Sequence, residues 1–178
     1  MLVNKIAVVD ELLEAHSTQL AGDVTAYRNH VYRVANLCLA LSGGDRAQLD
    51  KIAVTAVFHD IGIWTDGTFD YLEPSAKRAR EHLLRTDSAS WADEVVEMIL
   101  QHHKLRKYRE HAGWLVEPFR RADLVDVSQG WVRFGLSRAL LKELYAEWPS
   151  AHFHRRLVEL GIERARTHPL SPLPMLRF

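Results

Sequence analysis

Side chains that bind metal ions recur along this chain in a fixed order: His30, the doublet His59-Asp60, His82, the doublet His102-His103, then Asp123 and Asp126. Imidazole and carboxylate donors without thiolate suit Fe, Mn, Co, Ni or Zn. Six or seven such donors exceed what one tetrahedral ion takes. Two ions sharing a carboxylate would account for the excess, with Asp60 as the bridge. One histidine on an apolar face is ordinarily a satisfied core residue, and a His-Asp doublet is common by chance. The signal is the joint arrangement. Of the 10 histidines, His152, His154 and His168 have no acidic partner at ligand spacing and are expected on the surface or in packing. The single cysteine, Cys38, excludes an internal disulfide and a cysteine-based zinc site.

These donors need elements to converge them. Apolar residues recur with a period near 3.6, so helices are expected nearly throughout. The pattern predicts helices over 3–17, 23–42, 45–60, 75–86, 90–104, 117–134, 137–147 and 153–167, with 61–74 as a loop punctuated by Gly62, Gly67 and Pro74. Asp23 and Asp45 are expected N-caps, and Ser42-Gly43-Gly44 a stop. Pro118 suits a first turn. On the second helix the apolar stripe is Val24, Tyr27, Val31, Val34, Cys38 and Leu41, and His30 lies at its edge. On the third, Asp60 and His59 follow Ala56 by four and three. Neighbouring helical residues point about 100° apart, so both can meet one ion only where the helix ends, at Gly62. His82 flanks the Ala79–Leu83 face, His102 and His103 straddle the end of the fifth helix, and Asp123 and Asp126 share one side of the sixth. An aspartate on a buried face is costly unless it is paired or metal-bound. Five helices thus each bring a donor inward, as helical bundles do when they build a metal site.

The 178 residues carry 23 acidic and 23 basic side chains, a net charge of zero. A general polyanion binder would show a basic surplus, so no nucleic-acid partner is expected. Asp10, Glu11 and Glu14 interrupt the N-terminal apolar run too early for a signal peptide or a span, so a cytoplasmic protein with no membrane partner is expected. The tail HPLSPLPMLRF holds three prolines and cannot be regular helix; its apolar content suggests that it wraps along the body. The helix over 137–147 could complete the core or face a second copy in a homo-oligomer.

The order H…HD…D, here His30, His59-Asp60 and Asp123, resembles the HD-domain superfamily of metal-dependent phosphohydrolases. AVFHDIG (56–62) resembles its central motif, HVYRVANLCLAL (30–41) its first-histidine helix, and RADLVDVS (121–128) its last-aspartate helix. His82 and His102-His103 are similar to the extra histidines of the subgroup that binds two metals. The resemblance covers residues 24–130 and implies an all-α single domain over 1–178, a bundle of about seven to eight helices, with 137–178 as C-terminal helices and tail. It implies that His30, His59, Asp60 and Asp123 hold one metal, and that Asp60 bridges to a second held by His82 and His102. His103 would contact substrate or a ligand; the alternative is that His103 and His102 exchange roles. Ile63 stands where many two-metal members carry Lys or His, and no GYP signature follows His103, which disfavours a cyclic-dinucleotide phosphodiesterase.

The chemistry expected is hydrolysis of a small phosphorylated substrate by metal-activated water, with Asp60, Asp126 and His103 as catalytic groups. Asp126 would accept a proton or orient a ligand. Lys104, Arg106 and Arg120 are candidates for the phosphate, and Trp64, Phe69 and Tyr71 for the pocket wall or a plug over the core. Two other readings are open. One is a mixed-valent di-iron oxygenase cleaving a C–P or C–C bond. The other is a non-catalytic metal-binding sensor.

Overall fold

In the computed structural model, which describes residues 2–176, helix α3 (Val24–Leu41) runs through the centre. It contains neither Gly nor Pro, and it is buried almost all round, from Ala26 to Leu39. Its end is set by two glycines in left-handed backbone, Gly43 (φ 93°) and Gly44 (φ 83°), with the Gly44 N–H bonded to the Leu39 carbonyl at 2.8 Å. Around it stand α1 (Ala7–Ala15), the short α2 (Ser17–Leu20), α4 (Leu49–Phe58), α5 (Gly62–Thr65), α6 (Leu72–Leu83), α7 (Ala92–Gln101), α8 (Val116–Val127), α9 (Arg138–Glu147) and α10 (Phe153–Thr167). The described residues contain no strand, so the fold is all-α, as the periodicity requires.

Helix α3 packs against α8 and α4, and α6 pairs with α7. The shared core includes Tyr27, Val34, Ile52, Val57, Met98, Ile99, Phe119 and Val125. Each such side chain removed from water contributes about 1.5–3 kcal/mol, which is what holds the donors' helices in place. Leu141 and Leu144 of α9 belong to this core, so that helix completes the body. Met175 of the tail packs on Ile63 and Tyr71, so the tail does lie along the body. No described helix is long and apolar enough to cross a membrane.

Some boundaries differ from expectation. Asp45 caps as expected, accepting from the Ala47 N–H at 3.0 Å. Asp23 makes no capping bond; its carboxylate instead takes the Trp64 indole N–H at 2.9 Å and Arg156 at 3.1 Å. Residues expected to extend α8 to 134 turn away after Val127, where Gln129 (φ 51°) and Gly130 (φ 76°) are left-handed and the Gly130 N–H closes on the Val125 carbonyl. The expected loop 61–74 contains α5 and the start of α6.

Gly62 does not end a helix by a left-handed turn. It starts α5, and what it needs is space: a Cβ there would lie 2.8 Å from the Tyr71 carbonyl oxygen, 3.0 Å from Ser75 Oγ and 3.2 Å from Pro74 Cβ. Its N–H donates to Ser75 Oγ at 3.0 Å. This close approach joins the chain just after Asp60 to the chain around Tyr71. Gly62→Ala should therefore lower unfolding stability by about 1–3 kcal/mol in denaturant titration, because the obstructing atom is backbone. An unchanged midpoint would show that the α5–α6 junction is not tightly fixed.

Candidate metal centre

Two of the imidazoles are aimed by the helix ends that carry them. The last carbonyls of a helix have no intrahelical partner. His59 follows the last residue of α4 and donates its Nδ1–H to the Ala56 carbonyl at 2.7 Å. His102 follows the last residue of α7 and donates its Nδ1–H to the Ile99 carbonyl at 2.6 Å. The same three-residue reach is used twice, and in each case it turns Nε2 inward with its lone pair free. His30, in the middle of α3, is aimed differently: its Nδ1 bonds Asp126 Oδ2 at 2.7 Å. Phe153 stacks on its ring, centroids 4.1 Å apart.

The donor atoms converge. His30 Nε2 and His59 Nε2 are 2.9 Å apart. Asp60 Oδ2 is 3.3 Å from His59 Nε2 and 3.6 Å from His30 Nε2, and Asp123 Oδ1 is 3.7 Å from both. His102 Nε2 is 3.3 Å from Asp60 Oδ1. Donors about 2.0–2.2 Å from one ion stand at separations of this order. Two groups could each hold a metal ion, His30–His59–Asp60 and Asp60–His102–His103, with Asp60 common to both.

The residues fit a cation on independent grounds. Buried polar atoms normally find hydrogen-bond partners. Asp60 Oδ1, His102 Nε2 and Asp123 Oδ1 are buried and have none. Two Nε2 atoms facing at 2.9 Å, each with its Nδ1–H already engaged, would set lone pair against lone pair. A proton or a metal ion between them removes that repulsion. The local charge favours such a cation: burial opposes protonation of His30, yet Asp126 and Asp60 hold its pKa up at about 9. Burial would raise the Asp60 carboxyl, but His59, His102 and His30 bring it well below the usual carboxylate range.

The HD domain family matches residues 27–129. The chain belongs to the HD domain family. No curated protein and no solved structure matches it.

Within this HD domain the structure brings together His30, His59, Asp60, His102, His103 and Asp123. It does not bring His82 to them. Helix α6 buries Ser75, Ala76, Ala79 and Leu83, which leaves His82 half-buried at the edge, packed on Phe58 at 5.4 Å. Burial lowers its pKa, and its charged neighbours are His16 and Arg85 rather than Asp60. The expectation that His82 holds a second metal is not met in this structure, where His82 is in neither group of donors that could hold an ion.

Asp126 is also placed differently from a catalytic base. It is fully buried, and both oxygens are taken: Arg33 Nε and Nη2 at 2.6 and 2.9 Å, Tyr145 Oη at 2.9 Å, and His30. Burial would raise this carboxyl, but His30 and Arg33 bring it well below the usual range. What it holds is the His30 ring, whose Nδ1 it meets at 2.7 Å. Arg33 was not singled out in the sequence, although it stands three residues after His30 as Asp126 stands three after Asp123. The second pair meets one turn below the first. His154 adds a contact to the Asp126 carbonyl at 2.9 Å.

Among the expected phosphate ligands, Arg120 is buried and clamped by Glu117 at 2.8 and 2.9 Å and by the Lys104 carbonyl at 3.0 Å. It ties the segment after His103 to α8 and is not presented to a ligand. Lys104 is half-buried beside His103, and Arg106 is exposed. Tyr71 is buried, with its hydroxyl 2.6 Å from His103 Nε2.

Two outcomes follow. Asp126→Asn should weaken binding of the first metal equivalent by about 10–100-fold in calorimetric titration, because His30 loses its anionic partner. Equal affinity would mean that Asp126 only balances Arg33. Burial would raise the Glu117 carboxyl, but Arg120, the Tyr108 N–H and Arg121 bring it down to about 2. A carboxyl lowered in the folded state contributes stability above its unfolded pKa of about 4.3 and loses it on acidification. Glu117→Gln should thus be less stable than the parent at pH 7. That gap should close as pH falls from the unfolded value towards the folded value of about 2. A gap independent of pH would exclude an ionic role.

Proposed function

We propose that this HD domain is a metal-dependent phosphohydrolase acting on a small phosphorylated substrate. The observation that carries the reading is the set of buried, unpartnered donors, Asp60 Oδ1, His102 Nε2 and Asp123 Oδ1, around the facing Nε2 atoms of His30 and His59. A cluster that is neither satisfied internally nor open to bulk water is costly as a purely structural feature, and membership of the HD domain family supports hydrolysis as the chemistry it would serve.

His30, His59, Asp60 and Asp123 would hold the ion, with Asp60 shared towards His102. A divalent ion there supplies Lewis acidity and lowers the pKa of water towards neutrality. The protein's own groups do the rest. His59 and His102 keep fixed tautomers through the Ala56 and Ile99 carbonyls. Tyr27, whose hydroxyl donates to the Val57 carbonyl at 2.7 Å, stacks beside His59 and keeps water from that side. His103 has 18% of its side chain exposed, against 0–3% for His30, His59, Asp60, His102 and Asp123. A substrate would meet the centre at His103. Burial and His102 bring the His103 pKa down to about 4, so the ring is neutral near pH 7. Half-buried Lys104, next in the chain, is the cation placed nearest in sequence for the phosphoryl charge.

The test is a panel of phosphomonoesters and phosphodiesters offered to stripped protein and to protein loaded in turn with Mn, Fe, Co, Ni and Zn. Hydrolysis should require metal and fall at least about 100-fold in Asp60→Asn. Metal binding without turnover of any phosphoester would overturn the hydrolase reading. Dioxygen consumption by the iron-loaded form would then favour the oxygenase, and its absence the sensor.

A further inference from the structure

The contact that neither the first donor group nor the motif explains is the 2.6 Å bond between Tyr71 Oη and His103 Nε2. Tyr71 lies just before α6, yet it is 2% exposed and carries its hydroxyl to His103. Ile63 and Met175 pack on its ring, and its carbonyl crowds Gly62, two residues after Asp60. The ring is therefore held from several sides, which a residue that merely fills space does not need.

The bond has two possible senses. In one, the phenol donates to Nε2, and His103 carries its proton on Nδ1. In the other, Nε2–H donates to the phenol oxygen, and Nδ1 keeps its lone pair. Nδ1 is the inward nitrogen, 3.5 Å from Asp123 Oδ2, and His103 completes a donor group with Asp60 and His102. A nitrogen that takes a metal ion has to keep its lone pair, and only the second sense leaves Nδ1 with one.

Resting on the reading of this cluster as a metal centre, we propose that Tyr71 is a positioning residue for His103. It accepts the Nε2–H of His103, so that Nδ1, with Asp60 and His102, makes up the second donor set. His103 thereby takes the place that spacing alone assigns to His82. The partner of a ligating imidazole fixes its tautomer and orientation, and its loss lowers metal affinity by about 10–100-fold.

Stripped protein titrated with Co(II), followed by calorimetry and by the visible absorption of the bound ion, reads this directly without an assay of activity. The wild type should take two equivalents. In Tyr71→Phe, which keeps the buried ring, the second equivalent should weaken by about 10–100-fold and its absorption change, while the first stays as in the wild type. His103→Ala should lose the second equivalent, and His82→Ala should keep both. The proposal is overturned if Tyr71→Phe binds both as the wild type does, if it weakens both equally, or if His82→Ala removes the second. A single equivalent in the wild type would also overturn it, while leaving a mononuclear hydrolase intact. No binding of metal at all would instead remove the reading on which it rests.

Discussion

Three Nδ1–H bonds set the character of this molecule. His59 and His102 give theirs to carbonyls three residues back at the ends of α4 and α7, and His30 gives its own to Asp126. Each bond uses up the outward nitrogen and turns the other, Nε2, into the core. A helix terminus supplies an orphan carbonyl at no extra cost, so a doublet placed at a helix end gains an aimed imidazole and a neighbouring group from one local turn. The carboxylate partner of His30 needs more support, because a buried anion has to be compensated. Arg33, Tyr145 and His154 converge on Asp126 for this reason. The position of His30 therefore depends on α3, α8, the 145–149 segment and α10 together, and not on its own helix alone.

The consequence is a core whose most polar atoms are buried. Removing carboxylates and imidazoles from water is unfavourable unless each finds a partner. In this cluster the outer atoms are satisfied and the inner ones are not. That division distinguishes a prepared ion site from a buried salt-bridge network, in which the charges would meet one another. Asp60 illustrates it: three histidines surround the carboxylate, and Oδ1 still has no hydrogen-bond partner. Arg33 and Asp126 illustrate the opposite case one turn away, a bidentate pair with nothing left over.

Access and rigidity meet at the junction of α5 and α6. Gly62 allows the chain after Asp60 to lie against the Tyr71 carbonyl, and Met175 from the tail covers the same ring. The donors on α3, α4, α7 and α8 are enclosed, and His103 alone among them reaches towards solvent to a measurable degree. The tail and α10 are thus part of the wall of the centre, although among the described residues neither adds to the two groups that could hold a metal ion.

The all-α class and the converging set His30, His59, Asp60, His102 and Asp123 were legible in the sequence, because helical periodicity reports which face each residue shares and a buried Asp or His on that face is unusual. The helix-ending position of the His59-Asp60 doublet was legible too. Sequence spacing could not separate His82 from His103. Both lie near the end of a helix at the edge of an apolar stripe, and which of them joins the other donors is decided by how their helices pack. Arg33, Tyr71 and Arg120 depend in the same way on partners from distant segments: Asp126, His103 and Glu117 with the Lys104 carbonyl. A periodic pattern specifies the direction of a residue relative to its own helix. Which charge meets which donor is fixed only when the helices pack, because the cost of leaving a buried group unpaired is settled between segments and not within them.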